Sequence, residues 1–210
     1  MQPATDGETS GRDAPELESA ATAPRRGGDP LNVANAITLL RVAVIPLLIW
    51  LLYAPTPLSS FLAALLFAAA SITDWLDGWL ARKYGLQSAL GAFLDPLADK
   101  LMVIAALVML VALGRVGPIL PIVIIARELI VTGLRSMAIE EGIVIAAGEL
   151  GKYKMLLQVF ALFALMAHYT WFGVNFHWGG VYYLWLATIL AVWSGADYAW
   201  RFWRSLRAEA

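Results

Sequence analysis

Two long apolar runs enclose a stretch with four aspartates: Asp74, Asp77, Asp95 and Asp99. Carboxylates at the ends of membrane helices are costly, so they usually mark a functional site. Four such charges in a poorly solvated pocket need neutralisation by protons, by lysine or arginine, or by divalent cations. The chain has no cysteine, and no histidine lies near the aspartates, so an oxygen ligand set favours Mg²⁺ or Mn²⁺ over Zn²⁺. Since Mg²⁺ often binds together with substrate phosphates, the stretch indicates a phosphate-bearing substrate.

Helical spacing would bring the four carboxylates together. Asp77 lies three positions after Asp74, and Asp99 lies four positions after Asp95, so each pair shares one face of a helix. Small residues occupy the same two faces: Gly78, Ala81 and Gly91. Small side chains let helix backbones approach closely. We therefore expect the two helices to place all four carboxylates in one pocket.

The composition is that of a polytopic membrane protein. Of the 210 residues, 60% are hydrophobic, which is too high a fraction for an ordinary soluble domain. Six apolar stretches are each close to the length of about 20 residues that a helix needs to cross a bilayer core. These stretches cover residues 36–53, 58–81, 91–113, 117–136, 153–171 and 180–203. We expect an all-α integral membrane protein with six transmembrane helices.

The N-terminal residues differ in composition from the rest of the chain. Residues 1–30 are rich in Ala, Gly, Pro and charged residues without apolar periodicity, which predicts a disordered tail. Residues 31–36 are expected to form a short interfacial helix before the first span. The predicted organisation is therefore a tail, residues 1–30, and one membrane domain, residues 31–207.

Basic residues are distributed unevenly between the two ends of the predicted spans. All of the 15 lysines and arginines except Arg115 fall in the tail, at the C-terminus or at one end of the spans. The positive-inside rule assigns that end to the cytoplasm. The aspartates lie at the same end, so we expect a multi-pass protein with its site on the cytoplasmic side. A bacterial inner membrane is the simplest location.

A second cluster of charged residues lies near the fourth and fifth spans. Arg127 and Arg135 stand near the end of the fourth stretch, and Lys152 and Lys154 stand at the start of the fifth. Glu128 is a candidate ion-pair partner for this cluster. Cations beside a carboxylate cluster suit a reaction between two phosphate-bearing substrates, because each phosphate needs its own positive charge.

The aspartate stretch matches the pattern D-x2-D-G-x2-A-R-x8-G-x3-D-x3-D, which runs from Asp74 to Asp99. A chance match to eight fixed positions has a probability on the order of 10⁻¹⁰ per starting point. The pattern resembles the signature of the CDP-alcohol phosphotransferase family of membrane enzymes. The resemblance implies six transmembrane helices, a homodimer, and transfer of a phospho-alcohol group from a CDP-linked donor to an acceptor hydroxyl with release of CMP. It also implies lipid partners and no nucleic acid.

The resemblance assigns roles to individual residues. It implies that the four aspartates hold two divalent ions, Mg²⁺ or Mn²⁺, and that Asp99 is also the general base. The residues implied to bind the nucleotide are Thr38, Gly78, Ala81 and Arg82.

Two further stretches, RELIVTGLR with GKYK and the opening NAITLLR, are similar to one branch of the family. That branch transfers the phosphatidyl group of CDP-diacylglycerol to sn-glycerol 3-phosphate and forms phosphatidylglycerophosphate. The similarity implies that Arg127, Arg135 and Lys152 bind the phosphate of the acceptor. The alternative acceptors are inositol phosphate and phosphatidylglycerol, the latter as in cardiolipin synthase. A remote alternative of another class is a divalent-cation transporter that uses the aspartates as an ion path.

Overall fold

The computed structural model describes residues 33–84, 89–142, 149–171 and 173–209. The predicted tail, residues 1–30, lies outside the described residues. Within the helices, the side chains of several predicted site residues are also outside the described part: Thr38, Asp77, Gly78, Ala81, Arg82, Gly91, Asp95 and Lys152. For these positions the structure shows only which helix carries the residue and where along that helix it lies.

Six α-helices make up most of the described residues, close to the six predicted apolar stretches. They are Val33–Tyr53 (α1), Pro57–Tyr84 (α2), Ala89–Ala112 (α3), Ile119–Glu140 (α4), Glu149–Ala167 (α5) and Phe176–Glu209 (α6). Two strands of two residues each, Thr170–Trp171 (β1) and Val174–Asn175 (β2), pair antiparallel between α5 and α6. The described part is therefore all-α apart from this small hairpin.

Two of the described helices contain segments that are long and apolar enough to cross a membrane. These segments are Pro57–Asp74 in α2 and Phe176–Arg207 in α6, with mean hydropathies of 1.4 and 1.3. Shorter apolar segments occur at Leu40–Tyr53 and Tyr153–Ala167. Large apolar side chains such as Trp50 also cover the outer faces of the helices. An extensive exposed apolar surface is typical of contact with lipid. These features fit an all-α membrane protein, whereas the number of six spans stays a prediction.

The start of α1 differs from the prediction. Residues 33–36 form the first turn of α1 rather than a separate interfacial helix, because the helix continues without a break from Val33 to Tyr53. The sequence between Val33 and Leu40 contains neither glycine nor proline, the residues that most readily interrupt a helix. Residues 33–36 are therefore continuous with α1, and the interfacial position of residues 31–36 stays a prediction.

The connection between α5 and α6 was also predicted at the wrong place. Helix α5 ends at Ala167 rather than at position 171, and His168 adopts a left-handed backbone conformation with φ of 53°. Helix α6 begins at Phe176, because the Asn175 Oδ1 atom accepts hydrogen bonds from the backbone N–H groups of His177 and Trp178, at 3.1 and 3.3 Å. Asparagine is among the residues that most favour this capping position.

The helices pack around one large apolar core, and a small second cluster joins Ala138 on α4 to Phe202 on α6. Helix α1 contacts α2 and α3, α2 contacts α5, and α6 lies against both α4 and α5. The largest fully buried side chains come from all six helices: Leu48, Leu52, Phe67, Leu107, Leu110, Ile124, Leu162, Leu165, Met166 and Leu184. This core sets the distances between the helices that carry the charged residues.

Helices α5 and α6 approach each other closely at Gly180. A Cβ atom added at Gly180 would lie 2.7 Å from Leu165 Cγ and 2.9 Å from the Leu165 backbone nitrogen. Real Cβ atoms do not approach other atoms so closely, so this position requires glycine. In other pairs of membrane helices, small residues likewise allow the two backbones to approach closely.

Arg115 closes the end of the bundle at the α3–α4 connection. This buried guanidinium donates hydrogen bonds to the Met166 and Leu165 carbonyl oxygens, at 2.6 and 3.3 Å, and to Ser60 Oγ at 2.7 Å. It thereby satisfies carbonyl groups at the C-terminus of α5, where cations are favourable. Burial, together with the charge of Arg115 and the neighbouring His177, lowers the pKa of the His168 imidazole.

The close approach at Gly180 generates a test. The substitution Gly180→Ala is expected to reduce the free energy of unfolding by about 1–3 kcal/mol, because overpacking forces α5 and α6 apart. The matched control is Gly179→Ala, where an added Cβ meets no atom within 4 Å. The control is expected to leave stability unchanged or raise it by up to about 1 kcal/mol, since alanine favours a helix more than glycine does. Denaturant unfolding in detergent micelles measures both, and equal stability of the two variants would contradict the packing at Gly180.

Candidate active site

A buried arginine joins two of the predicted aspartates. Arg41 Nη2 on α1 lies 2.6 Å from Asp74 Oδ1 on α2, and Arg41 Nη1 lies 3.1 Å from Asp99 Oδ1 on α3. The guanidinium is only 4% exposed, whereas the carboxylates of Asp74 and Asp99 are 30% and 34% exposed. Carboxylates from two different helices therefore converge on one cation, and each carboxylate is also partly exposed.

The two contacts of Arg41 differ in character. Arg41 Nη1 has no hydrogen-bond partner among the described residues, although it lies within ion-pair distance of Asp99. The contact with Asp99 is therefore electrostatic without a well-directed hydrogen bond. The contact with Asp74 is the shorter of the two.

The donor set fits a hard divalent cation. Asp74 and Asp99 supply oxygen ligands that already converge on a positive charge, which is the chemistry that Mg²⁺ and Mn²⁺ require. Asp77 lies one turn after Asp74 on α2, and Asp95 lies one turn before Asp99 on α3, so the register places each on the same helix face as its neighbour. Among the side chains that the structure describes, no group of three or more potential metal ligands occurs. The four-aspartate site stays a prediction.

The predicted nucleotide-binding residues lie near these aspartates along the helices. Gly78 and Ala81 follow Asp74 by four and seven positions on α2, and Arg82 follows in the last turn. Thr38 precedes Arg41 by three positions on α1, so the two residues share a face. Their positions along α1 and α2 agree with one common site. The contacts of their side chains lie outside the described part.

A second network of charges connects α4, α5 and α6. Glu128 Oε1 accepts a hydrogen bond from Arg127 Nη1 at 3.0 Å and forms an ion pair with the buried Lys154 ammonium. Arg127 Nε donates to the Ala191 carbonyl oxygen at 2.9 Å, and Arg127 Nη2 donates to Ser194 Oγ at 2.5 Å. The predicted role of Glu128 as an ion-pair partner is confirmed. The network fixes the three helices to one another.

The predicted acceptor-binding residues therefore have separate environments. Arg127 is engaged by Glu128 and by α6, where a Cβ atom at Gly195 would lie 3.2 Å from Arg127 Cγ. Arg135 lies further along α4, exposed, with its guanidinium 5.9 Å from the centre of the Tyr198 ring. Lys152 lies on α5, and its side chain is outside the described part. The binding of an acceptor phosphate by these three residues stays a prediction.

Sequence reasoning missed the link between Arg41 and the aspartates. The sequence prediction treats Arg41 only as one of the basic residues that set the membrane orientation and as part of the NAITLLR stretch. An arginine within an apolar helix normally has a specific partner, and this signal could have identified Arg41 as part of the site. Ser194 carried no comparable signal, because its role depends on the packing of α6 against α4.

Comparison with known proteins gives consistent matches over most of the chain. Residues 31–193 match the profile of the CDP-alcohol phosphatidyltransferase family. A Bacillus subtilis protein named CDP-diacylglycerol--glycerol-3-phosphate 3-phosphatidyltransferase is 41% identical over 191 residues, covering 85% of this chain and 98% of the relative. A Haemophilus influenzae protein of the same name is 39% identical over 171 residues, covering 80% and 91%. An Arabidopsis thaliana relative, named as the chloroplastic/mitochondrial form 1, is 38% identical over 193 residues, covering 84% and 64%.

The charge network around Glu128 can be tested by its effect on stability. The substitution Glu128→Gln is expected to reduce the free energy of unfolding by about 3 kcal/mol, because it leaves the buried Lys154 ammonium without its counter-ion. The exposed Glu140 on the same helix supplies the control, and Glu140→Gln is expected to change stability by less than about 0.5 kcal/mol.

The double variant Glu128→Gln/Lys154→Met removes both charges and is expected to be more stable than Glu128→Gln alone. Chemical denaturation in micelles measures all three variants. If Glu128→Gln were as stable as Glu140→Gln, the network would not stabilise the bundle.

Proposed function

Since the chain belongs to the CDP-alcohol phosphatidyltransferase family, we propose that it transfers the phosphatidyl group of CDP-diacylglycerol to sn-glycerol 3-phosphate. The products are phosphatidylglycerophosphate and CMP. The observation that carries this proposal is the similarity, over at least 80% of the chain, to relatives named for both substrates. The convergence of Asp74 and Asp99 on one cation supports the same conclusion, because both belong to the signature on which the family resemblance rests.

The proposed reaction is a displacement at phosphorus. A hydroxyl oxygen of glycerol 3-phosphate attacks the phosphorus atom that carries the diacylglycerol, and the bond between this phosphorus and the CMP oxygen breaks. Asp99 accepts the hydroxyl proton as general base. Its carboxylate is about one-third exposed at the end of the aspartate stretch, which leaves it accessible to the acceptor. A general base typically contributes about 10²–10⁴-fold to the rate.

The proposed cofactors are two divalent ions, Mg²⁺ or Mn²⁺, held by Asp74, Asp77, Asp95 and Asp99. When bound, such ions neutralise the donor pyrophosphate and stabilise the charge that develops on the departing CMP. Beside them, the proposed nucleotide-binding residues are Thr38, Gly78, Ala81 and Arg82. The exposed apolar faces of the helices provide a surface for the acyl chains of the donor.

The acceptor phosphate is assigned to the basic residues on α4 and α5. Arg135 presents an exposed guanidinium, and Lys152 lies on the N-terminal part of α5. Among the described residues, three of the five N–H donors of Arg127 are engaged, by Glu128, Ala191 and Ser194, and the other two are proposed to bind a phosphate oxygen. A phosphorylated acceptor is favoured over a neutral alcohol because such a set of cations binds phosphate strongly.

We further propose that the protein is a homodimer with six spans in the inner membrane and that its site faces the cytoplasm. The uneven distribution of lysine and arginine supports this orientation. Cytoplasmic access also agrees with the chemistry, since glycerol 3-phosphate and CMP are charged, water-soluble molecules.

Release of CMP from CDP-diacylglycerol by the purified protein tests the proposed reaction. With Mg²⁺ or Mn²⁺ present, release is expected with sn-glycerol 3-phosphate and not with inositol phosphate or phosphatidylglycerol. The variant Asp99→Asn is expected to lose about 10²–10⁴-fold in turnover because the base is removed.

Release with one of the other acceptors would keep the transfer chemistry and overturn the assignment of the acceptor. Absence of release with every acceptor, from folded protein, would contradict the transferase function. Near-normal turnover by Asp99→Asn would overturn the role of Asp99 as general base.

A further inference from the structure

The contacts of Arg41 differ from those of the other deeply buried arginine. Both Arg41 and Arg115 are 4% exposed. Arg115 donates to two backbone carbonyl oxygens and one hydroxyl, which are uncharged groups fixed by the fold. Among the described side chains, Arg41 instead pairs with two carboxylates, Asp74 and Asp99, at the position where the proposed divalent ions bind.

A positive charge at this position has a clear electrostatic effect. The carboxylates of Asp74 and Asp99 would repel each other in a partly desolvated pocket, so a cation between them stabilises the arrangement of α2 and α3. The same positive charge opposes the entry of a second cation, because like charges repel strongly where water is scarce. Arg41 therefore both holds the two carboxylates together and weakens the binding of a divalent ion.

The geometry also indicates that Arg41 can be replaced. The guanidinium lies within ion-pair distance of the Oδ1 atoms of Asp74 and Asp99, and its Nη1 atom has no hydrogen-bond partner among the described residues. A charged donor that is buried without a complete set of hydrogen bonds is held less firmly than one that is fully satisfied. A divalent ion with a stronger attraction for the carboxylates would displace it from these oxygens.

We propose that Arg41 is a positioning residue that acts as the resident counter-ion of the aspartate site and competes with divalent cations for Asp74 and Asp99. It keeps the two carboxylates together in the absence of the ion and sets the ion concentration at which the site fills. This inference rests on the proposed divalent-ion site and goes beyond it by assigning the residue that tunes its affinity.

Ion-dependent thermal unfolding tests the inference without measuring catalysis. Purified protein in detergent micelles is treated with EDTA, and its unfolding is followed by the fluorescence of its nine tryptophans while Mg²⁺ or Mn²⁺ is titrated. The variant Arg41→Gln is expected to unfold at a lower temperature than the wild type in EDTA. Its half-maximal ion concentration for stabilisation is expected to be about tenfold lower, within the usual range of coupling between two sites.

Two further variants separate the counter-ion role from general destabilisation. Arg115→Gln removes an equally buried arginine at the other end of α3 and is expected to lower the unfolding temperature without changing the half-maximal ion concentration. Arg41→Lys keeps the charge but cannot present two separate NH₂ groups to the two carboxylates, so its half-maximal concentration is expected between those of the wild type and Arg41→Gln. If Arg41→Gln does not fold, Arg41→Lys still tests the inference.

An unchanged or higher half-maximal concentration in the folded Arg41 variants would overturn the inference, and so would the absence of any ion-dependent shift in all of the proteins. CMP release measured on the same wild-type preparation distinguishes the possible failures. If the wild type releases CMP and Arg41→Gln has the same half-maximal ion concentration as the wild type, only the counter-ion role of Arg41 is refuted. An inactive wild type would instead contradict the proposed function.

Discussion

A guanidinium shared by two carboxylates connects the first three helices of this protein. Asp74 and Asp99 bring negative charge to the ends of apolar helix segments, and such charge requires a partner in an environment with little water. Arg41 supplies that partner from α1. Because the three side chains come from three helices, the position of each helix depends on this interaction. The predicted residues for the nucleotide and the ions lie no more than eight residues from it along α1, α2 and α3.

In the remaining helices, charged side chains in an environment with little water also contact partners on neighbouring helices. Lys154, Arg127 and Glu128 connect α4, α5 and α6, and Arg115 joins the α3–α4 connection to the end of α5. In each case a buried cation is satisfied by groups on another helix, while the core between these clusters is apolar. The bundle thus combines an apolar interior that sets the helix distances with charge clusters that determine which helices are neighbours.

Much of this arrangement could be predicted from local sequence patterns. Apolar stretches located the helices, and the spacing of Asp74 and Asp99 from their neighbours indicated two carboxylate-bearing faces. The partnership of Arg41 could not be predicted from spacing, because it joins residues more than thirty positions apart through tertiary packing. The end of α5 was missed since His168 adopts a left-handed conformation, which is uncommon for residues other than glycine. Residues 33–36 continue directly into α1, because neither glycine nor proline occurs between Val33 and Leu40.

The central claim is that Asp74 on α2 and Asp99 on α3 belong to one cation site. Mn²⁺ binding measured by electron paramagnetic resonance tests this claim directly, because free Mn²⁺ gives a strong signal that disappears on binding. The wild-type protein is expected to remove Mn²⁺ from solution, and Asp74→Asn and Asp99→Asn are each expected to weaken that binding at least about tenfold, since each removes a charged oxygen ligand. Mn²⁺ binding that is unaffected by either substitution in folded protein would contradict a shared site.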